Sequence, residues 1–524
     1  MADQQAKSPW YQALNHWVFW PPFVSLILMV SLNLIDGEAF NTVVTGIKTF
    51  IVVNFGWLFT ICSILAVAAC AVIALSPFGA VRIGGADAKP LINRWNWFAI
   101  TVCTSVATGI LFWSTAEPIF HLSSVPPFFD SQPNTAAAAI DSLSVVYLHW
   151  TITPYCIYAV VSLAFAFSYY NMKQPYSLRS MVAALLGPGK EDWLDKYTWV
   201  GNTIDGVCLF ALVAGMSASL GTGILVISSG LGEVFGLPKT QWLWAVITAA
   251  IVVSFIISSA TGLNKGIRIL SDLNTKGLFV LCAFVMVTGP TLLIFQNGWS
   301  ALINYAFEFP KLSTGGFDLA GSEWSASWSA FYWAVWLAWA PVTACFLGRI
   351  SLGRTVRETL IFNLLLPAMF SMFWMAVFCT TAMDLQLNNV TDLSAVIADE
   401  DLGAENVTYE VFRQLPLSFV MTVFYLVSAF ICFVTSADSN TTAMASICGR
   451  HSSDDDPEGA LIVKVLWGMA VGIVAWVMIA FASVEGIKTI SVIGGFPVSI
   501  LFIFVLISLM RMVIQHKKLS RVDQ

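Results

Sequence analysis

Stretches of 18 or more apolar residues recur along the whole 524-residue chain, each long enough to cross a hydrocarbon core of ~30 Å as a helix. A soluble globular chain is roughly a quarter charged; this one is 11% charged and 57% hydrophobic. Its residues cannot supply a polar skin, so lipid must cover much of the surface. An all-α polytopic membrane protein is expected, with twelve spans at about 15–35, 51–75, 97–116, 143–170, 200–230, 241–260, 277–296, 326–347, 359–384, 416–436, 461–483 and 487–513. With both termini in the cytoplasm, 20 of the 25 basic residues fall on that side. Only Lys48, Lys239, Lys311, Arg413 and Lys488 fall outside, a bias that fits the positive-inside rule and an even span count. The first apolar segment is too long for a signal h-region and lacks a small-residue cleavage site, so it reads as a membrane helix. The expected location is the cell inner membrane, multi-pass.

Several chemistries are excluded. There is no GxxxxGK[ST] loop for ATP-driven pumping, no HExxH and no GxSxG elbow, so an intramembrane enzyme has no site to stand on. The five histidines (His16, His121, His149, His451, His516) look dispersed, and His149, alone in mid-helix, reads as a packing or hydrogen-bonded residue. Ten cysteines are scattered without a CxxC and read as small buried hydrophobes. Nothing points to a nucleic-acid partner. The net charge of −6 says little about partners, because charge in a membrane protein is read by location.

No long linker or soluble domain interrupts the spans. The largest extracytoplasmic loops fall at about 297–325 and 385–415, the second acidic and read as a solvated surface. Lys173 to Leu186 reads as a short amphipathic helix on the cytoplasmic face, and the tail after about 513 is too short for a regulatory domain.

Two spans carry helix-weakening residues at mid-membrane: Ser105-Val-Ala-Thr-Gly109 in the third and Ala338-Trp-Ala-Pro341 in the eighth. Breaks five spans apart are what an inverted five-helix repeat predicts, although Gly and Pro also kink membrane helices without further role. Beside them lie aromatic stripes. Phe331-Tyr-Trp333-Ala-Val-Trp336-Leu-Ala-Trp339 carries tryptophans at i, i+3 and i+6 before Pro341, and His149-Trp150-Thr-Ile-Thr-Pro154-Tyr155-Cys-Ile-Tyr158 repeats the theme in the fourth span. A quaternary ammonium donates no hydrogen bond and is poorly served by a costly intramembrane carboxylate. Ring faces serve it instead, at about 0.5–2 kcal/mol per contact. Interfacial belts and ordinary packing are the competing reading, and Trp324 and Trp328 are assigned to a belt. In the tenth span, Thr435-Ser436-Ala-Asp438-Ser439-Asn440 gathers oxygens suited to a hard cation such as Na⁺; Asp438 reads as a helix cap, Thr435 and Ser436 do not.

At Gly348-Arg349-Ile-Ser-Leu-Gly-Arg354-Thr-Val-Arg357-Glu358 the sequence resembles the signature of the betaine/carnitine/choline transporters. The Phe331–Pro341 run resembles that family's substrate-binding segment. Ala116-Glu117-Pro118, His149-Trp150 with Pro154, Lys265-Gly266-Ile267 with Ser271, and Thr435-Ser436-Ala-Asp438-Ser439 match elsewhere. The resemblance covers nearly the whole chain. It implies a LeuT-type fold, in which spans 3–7 (96–296) and 8–12 (326–513) form inverted repeats around helices 1–2 (1–95), with a connector at 297–325 and a tail at 514–524. It also implies a homotrimer, alternating access, and a substrate caged at the midplane.

Residue by residue, Trp150, Tyr158 and Trp336 match cage positions, and Tyr155 stands where a betaine-transporting relative has Trp. Val335 replaces an aromatic, and Trp333 and Trp339 match residues lining the inward path or supporting the site. Thr435 and Ser436 match a sodium site formed with third-span backbone. Asn274 stands where sodium-independent exchangers carry arginine, which favours sodium-coupled symport, whereas Leu212 and Met216 argue against a second sodium site. Choline-type relatives carry an aspartate where Gly109 stands, with no carboxylate nearby here, which favours a zwitterion. The Ser105, Ala107, Gly109 pattern is closer to the carnitine carriers. The expected function is import of carnitine or glycine betaine for nutrition. A choline carrier, a sodium-independent exchanger, and a channel or sensor on the same scaffold are the alternatives. A channel would show a repeated selectivity loop and a sensor an output domain, and neither is visible.

Overall fold

A computed structural model describes residues 11, 14–105, 107–261, 266–318, 323–449 and 460–520, with backbone alone at 103–105, 107, 108, 260, 261, 266–268 and 481–483. Among them eleven helical stretches are long and apolar enough to cross a membrane. The main helices are α1 (His16–Ile35), α2 (Gly37–Leu75), α3 (Arg94–Ser105), α4 (Ala107–Ser123), α5 (Ala136–Trp150), α6 (Ile152–Ala166), α7 (Thr198–Phe235), α8 (Gln241–Thr261), α9 (Gly266–Thr288), α10 (Thr291–Phe307), α11 (Ser329–Ile350), α12 (Val356–Leu387), α13 (Ser418–Ile447) and α14 (Leu461–Leu519).

The third expected span corresponds to α3 and α4, of 12 and 17 residues. Of the interruption expected there, Val106 lies outside the described residues, and Ser105, Ala107 and Thr108 are described by backbone only. Lys7, Lys265, Arg450 and Arg521 of the charge count, and His451, also lie outside them.

Burial sorts the helices into two rings. The apolar windows of the α5–α6, α7 and α11 stretches are 94%, 89% and 89% buried, whereas those of α1 and α8 are 28% buried and present their apolar faces outward. α11 is the axle, wrapped by α6, α7 and α14.

The 59-residue run of α14 holds two apolar spans, Leu461–Ala480 and Val484–Leu519. Trp467 packs on Phe19 near the start of α1, and His516 on Phe78 just past α2, while Glu485 pairs with Lys48. The two ends therefore share one side of the bundle, and the run divides into two apolar stretches, each long enough to cross, at the places expected for spans eleven and twelve.

Other expectations need correcting. α11 does not end at Pro341 but continues to Ile350. Proline removes one donor and crowds one carbonyl, and close packing of α6, α7 and α14 around α11 holds the helix through that defect. The real break is in the fourth span at Thr151, with φ −119° and ψ −114° between α5 and α6. Pro154 then sits in the first turn of α6, where a missing N–H is harmless. The tenth span runs to Ile447 rather than stopping near 436. The connector is helical in part, through α10 and the short helices Phe309–Ser313 and Glu323–Ser327. Lys173–Leu186 contains a 3₁₀ helix over Leu178–Leu186 with Leu178, Met181 and Val182 buried. In the acidic loop Glu405 pairs with Lys239 and Glu410 with Arg413, so part of that charge braces the fold. The nine cysteines whose side chains are described are buried and form no disulfide with one another.

The arginine-rich segment is a clamp. Gly353 N–H donates to Ile83 O, Ile83 N–H to Arg354 O and Val356 N–H to Val81 O, a strand-like pairing around Arg82 and Thr355. Arg357 caps the end of α2 through Ala74 O and Ser76 O, at 3.1 and 3.4 Å. Arg354 donates to Ile92 O at 2.8 Å and lies over the Trp97 ring. Thr355 and Glu358 close a capping box on the start of α12. Gly353 has φ +72°, and a Cβ there would meet the Lys89 carbonyl carbon at 2.3 Å, so only glycine fits this approach.

Candidate functional site

The break at Thr151 frees carbonyls that a continuous helix would use. Thr151 turns its own N–H and hydroxyl back onto Tyr147 O. His149 O is taken by the indole N–H of Trp336, at 3.0 Å. One hydrogen bond thus ties the C-terminus of α5 to the middle of α11 and fixes the plane of the Trp336 ring.

Around that ring the aromatics converge. Trp336 meets Trp150 at 5.5 Å and 78°, Tyr158 at 5.2 Å and 67°, and Tyr155 at 6.0 Å and 55° between centroids and planes. Edge-to-face contacts of this kind are the preferred aromatic geometry. They leave ring faces free to line a cavity with about 590 Å³ of empty space, counted to its opening. Gly109, Trp113, Trp150, Tyr158, Phe331, Tyr332, Val335, Trp336 and Trp339 form its walls, completed by Ala218, Ser219, Thr222, Ile487 and Ser491. None of these side chains is formally charged.

Of the six aromatics singled out from the sequence, Trp150, Tyr158, Trp336 and Trp339 line this cavity. Tyr155 and Trp333 stand behind it, both fully buried. Trp333 meets the His149 ring at 5.8 Å, and Trp339 donates to Gly215 O at 3.1 Å. Residues three apart on a helix differ by about 60° in direction, so the three tryptophans fan out rather than share one face.

Sequence reasoning missed Trp113 and Tyr332 as wall residues, although Tyr332 lies inside the quoted aromatic run. It also missed the hub that orients them. Glu117 in α4 is fully buried. Its Oε1 accepts from His149 Nδ1 at 2.7 Å and faces His121 Nε2 at 3.4 Å; its Oε2 accepts from Trp150 Nε1 at 2.7 Å and from the Tyr332 hydroxyl. Two of the histidines expected to be dispersed therefore meet at one carboxylate. Three potential metal-ligating side chains, one carboxylate and two imidazoles, lie within 4.8 Å of one another here, yet both carboxylate oxygens are already met by hydrogen-bond donors of the protein itself. The cluster is a hydrogen-bond network in which His121 Nδ1 alone stays without a partner among the described residues, and its work is to hold Trp150 and Tyr332.

Trp324 and Trp328 are not belt residues. Trp328 packs on His121 at 4.6 Å and Trp324 on His121 and His149, roofing the hub. The expectation of no carboxylate near Gly109 also needs correction, since Glu117 grips the other edge of the ring that Gly109 touches.

Gly109 lies flat against Trp150: a Cβ there would come within 2.4 Å of the indole. Gly109→Ala is expected to destabilise by about 1–3 kcal/mol through overpacking, read as a lower melting midpoint of the purified protein in detergent. An unchanged midpoint would mean that the ring has room to retreat.

The hydroxyl pair of α13 sits beside this cavity. Thr435 Oγ1 donates to Ile431 O and Cys432 O at 2.9 and 3.0 Å, which leaves its lone pairs available as a ligand. Ser436 lines a smaller cavity whose walls include Ser219 and Trp339, residues that also line the aromatic one. Asn274 Nδ2 reaches Cys432 Sγ at 2.9 Å, one turn before Thr435. Oxygen ligands without a permanent charge fit a hard monovalent cation. Asp438 is not a cap: it lies within α13 and accepts from Ser258 at 2.5 Å and from Ser259, joining α13 to α8.

The betaine/carnitine/choline family transporter model matches residues 17–518. The glycine betaine transporter OpuD of Bacillus subtilis (strain 168) is 30% identical over 495 residues, covering 94% of this chain and 93% of that one. The ectoine/hydroxyectoine transporter of Virgibacillus pantothenticus is 27% identical over 513 residues, covering 98% and 99%. The osmo-independent choline transporter BetT1 of Acinetobacter baylyi is 28% identical over 512 residues, covering 97% and 94%.

Proposed function

This chain belongs to the betaine/carnitine/choline transporter family, and we propose that its aromatic cavity cages the trimethylammonium group of a zwitterion, carnitine or glycine betaine, for sodium-coupled import. It is a multi-pass membrane carrier that moves a quaternary-ammonium osmolyte by secondary transport, and not an enzyme. The observation that carries the finer reading is the uncharged box of Trp150, Tyr158 and Trp336, with Tyr332 closing one side. A permanently methylated cation, which donates no hydrogen bond, finds there the negative faces of rings as its partner. Gly109 supports a zwitterion over choline, because the space where a side-chain carboxylate would stand is filled by the Trp150 ring.

The same reading takes spans 3–7 and 8–12 as inverted repeats, with alternating access, both termini in the cytoplasm and a homotrimeric assembly. Thr435 and Ser436 are the proposed sodium ligands. Ser219 and Trp339 form a wall common to the aromatic cavity and the one beside Ser436, so an ion there would bear on the substrate through a single layer of side chains. That adjacency supports symport over exchange.

The test is uptake of labelled carnitine, glycine betaine and choline into proteoliposomes, with and without an inward sodium gradient. Uptake of a zwitterion is expected to need the gradient. Thr435→Ala with Ser436→Ala is expected to raise the half-saturating sodium concentration roughly tenfold, the equivalent of about 1.4 kcal/mol for the two lost contacts together. Sodium-blind uptake would overturn the coupling, and preference for choline over both zwitterions would overturn the substrate reading.

A further inference from the structure

One cation hangs over the aromatic wall of the cavity. Lys488 lies in α14 between the lining residues Ile487 and Ser491. Its Nζ is 5.8 Å from the centroid of Phe331, itself a wall residue, and 5.1 Å from that of Trp328. The side chain is 15% exposed and stands 3.2 Å from Glu485 Oε1. Glu485 does not neutralise it fully, because its other oxygen binds Lys48 at 2.8 Å. Two ammonium groups share one carboxylate, which leaves the trio a formal charge of +1.

We propose that Lys488 receives the carboxylate of the zwitterion whose trimethylammonium end sits in the box, and so sets which zwitterions are carried. This rests on the cage reading and deepens it. Phe331 precedes Trp336 by five residues, about 7.5 Å along α11, and the ammonium lies against Phe331. A substrate bridging the two points needs several bonds between its charges. Carnitine, with three carbons between nitrogen and carboxylate, covers most of that interval, and a hydrogen bond of about 2.8 Å to the ammonium covers the rest. Glycine betaine, with one methylene, leaves its carboxylate near the box. The favoured class is therefore linear trimethylammonium carboxylates with well-separated charges. At a largely buried site a charge-assisted contact outweighs one in water.

Proteoliposome uptake by the wild type, Lys488→Met and Lys488→Arg tests this with carnitine, carnitine methyl ester, glycine betaine and choline. In the wild type the ester, which lacks the negative charge, is expected to show a KM about tenfold above that of carnitine. Lys488→Met is expected to raise the carnitine KM about tenfold and abolish the difference from the ester, with choline within about twofold of its wild-type value. Lys488→Arg is expected to restore most of the carnitine affinity. Equal losses for carnitine and choline, or a wild type that treats carnitine and its ester alike, would overturn the role of Lys488. Because the ester comparison uses the wild type, the proposal stays testable if Lys488→Met fails to fold. A wild type that carries none of the four compounds would instead refute the cage reading.

Discussion

Trp336→Leu is expected to raise the apparent KM for the quaternary-ammonium substrate roughly 30-fold or more, with the protein still made and inserted. The magnitude follows from what the ring does. A desolvated cation–π contact is worth about 2 kcal/mol, which alone is about a 30-fold change in affinity. Leucine also removes the N–H that occupies His149 O at 3.0 Å, so the broken segment between α5 and α6 loses its fastening to α11. Finally, Trp336 is the ring against which Trp150, Tyr155 and Tyr158 are all set, and its loss lets the rest of the box relax. Insertion survives because leucine is as apolar as the helix requires. Trp336→Phe keeps a ring face without the N–H and is expected to fall between. Uptake against substrate concentration, normalised to transporter in the membrane, reads both. An unchanged KM in the leucine variant would remove Trp336 from the site.

What was legible in the sequence divides by the range of the physics involved. The spans were legible because lipid leaves a backbone no partner but itself, and about 20 apolar residues in a row are hard to disguise. The aromatic run of α11 was legible because its members are neighbours in the chain. Its consequence was not: Trp333 points at His149 while Trp339 reaches Gly215, and which tryptophan lines a cavity depends on the helices packed around it.

Local rules misled in two places for the same reason. Pro341 looked like a break and is carried through by tight packing, whereas the fourth span does break, at Thr151, just ahead of Pro154, whose ring would clash with Trp150 O in a continuous helix. Asp438 looked like a cap because the span was ended too early; in a helix that runs to Ile447 it bonds Ser258 and Ser259, about 180 residues away in the chain. The hub was the largest omission. Glu117 bonds partners 4, 32, 33 and 215 residues distant; helical spacing reaches the first, and no spacing rule reaches the other three. The one available signal was a carboxylate just past the end of the span drawn at 97–116, one helical turn before His121.

That hub carries the second large effect. Glu117→Leu is expected to destabilise the folded protein by about 3–5 kcal/mol, because it strands the buried donors of His149, Trp150 and Tyr332 at once. Glu117→Gln is the more informative change. The amide keeps one acceptor oxygen but turns an NH₂ group toward N–H or O–H donors, so at least one side of the network faces a like group. The geometry predicts where the damage goes. Trp150 is held from one edge by the carboxylate and pressed on its face by Gly109, and it meets Trp336 in the box. Loosening the edge frees a cage ring, so the substrate KM should rise several-fold even where the melting midpoint falls little. Glu117→Asp, which keeps the charge on a shorter arm, should retain more stability than the glutamine variant while still misplacing the indole. Thermal unfolding in detergent and uptake kinetics on the same preparations separate the two effects. If the glutamine variant matches the wild type in both, Glu117 is not what holds the box, and the aromatic geometry must be fixed by packing alone.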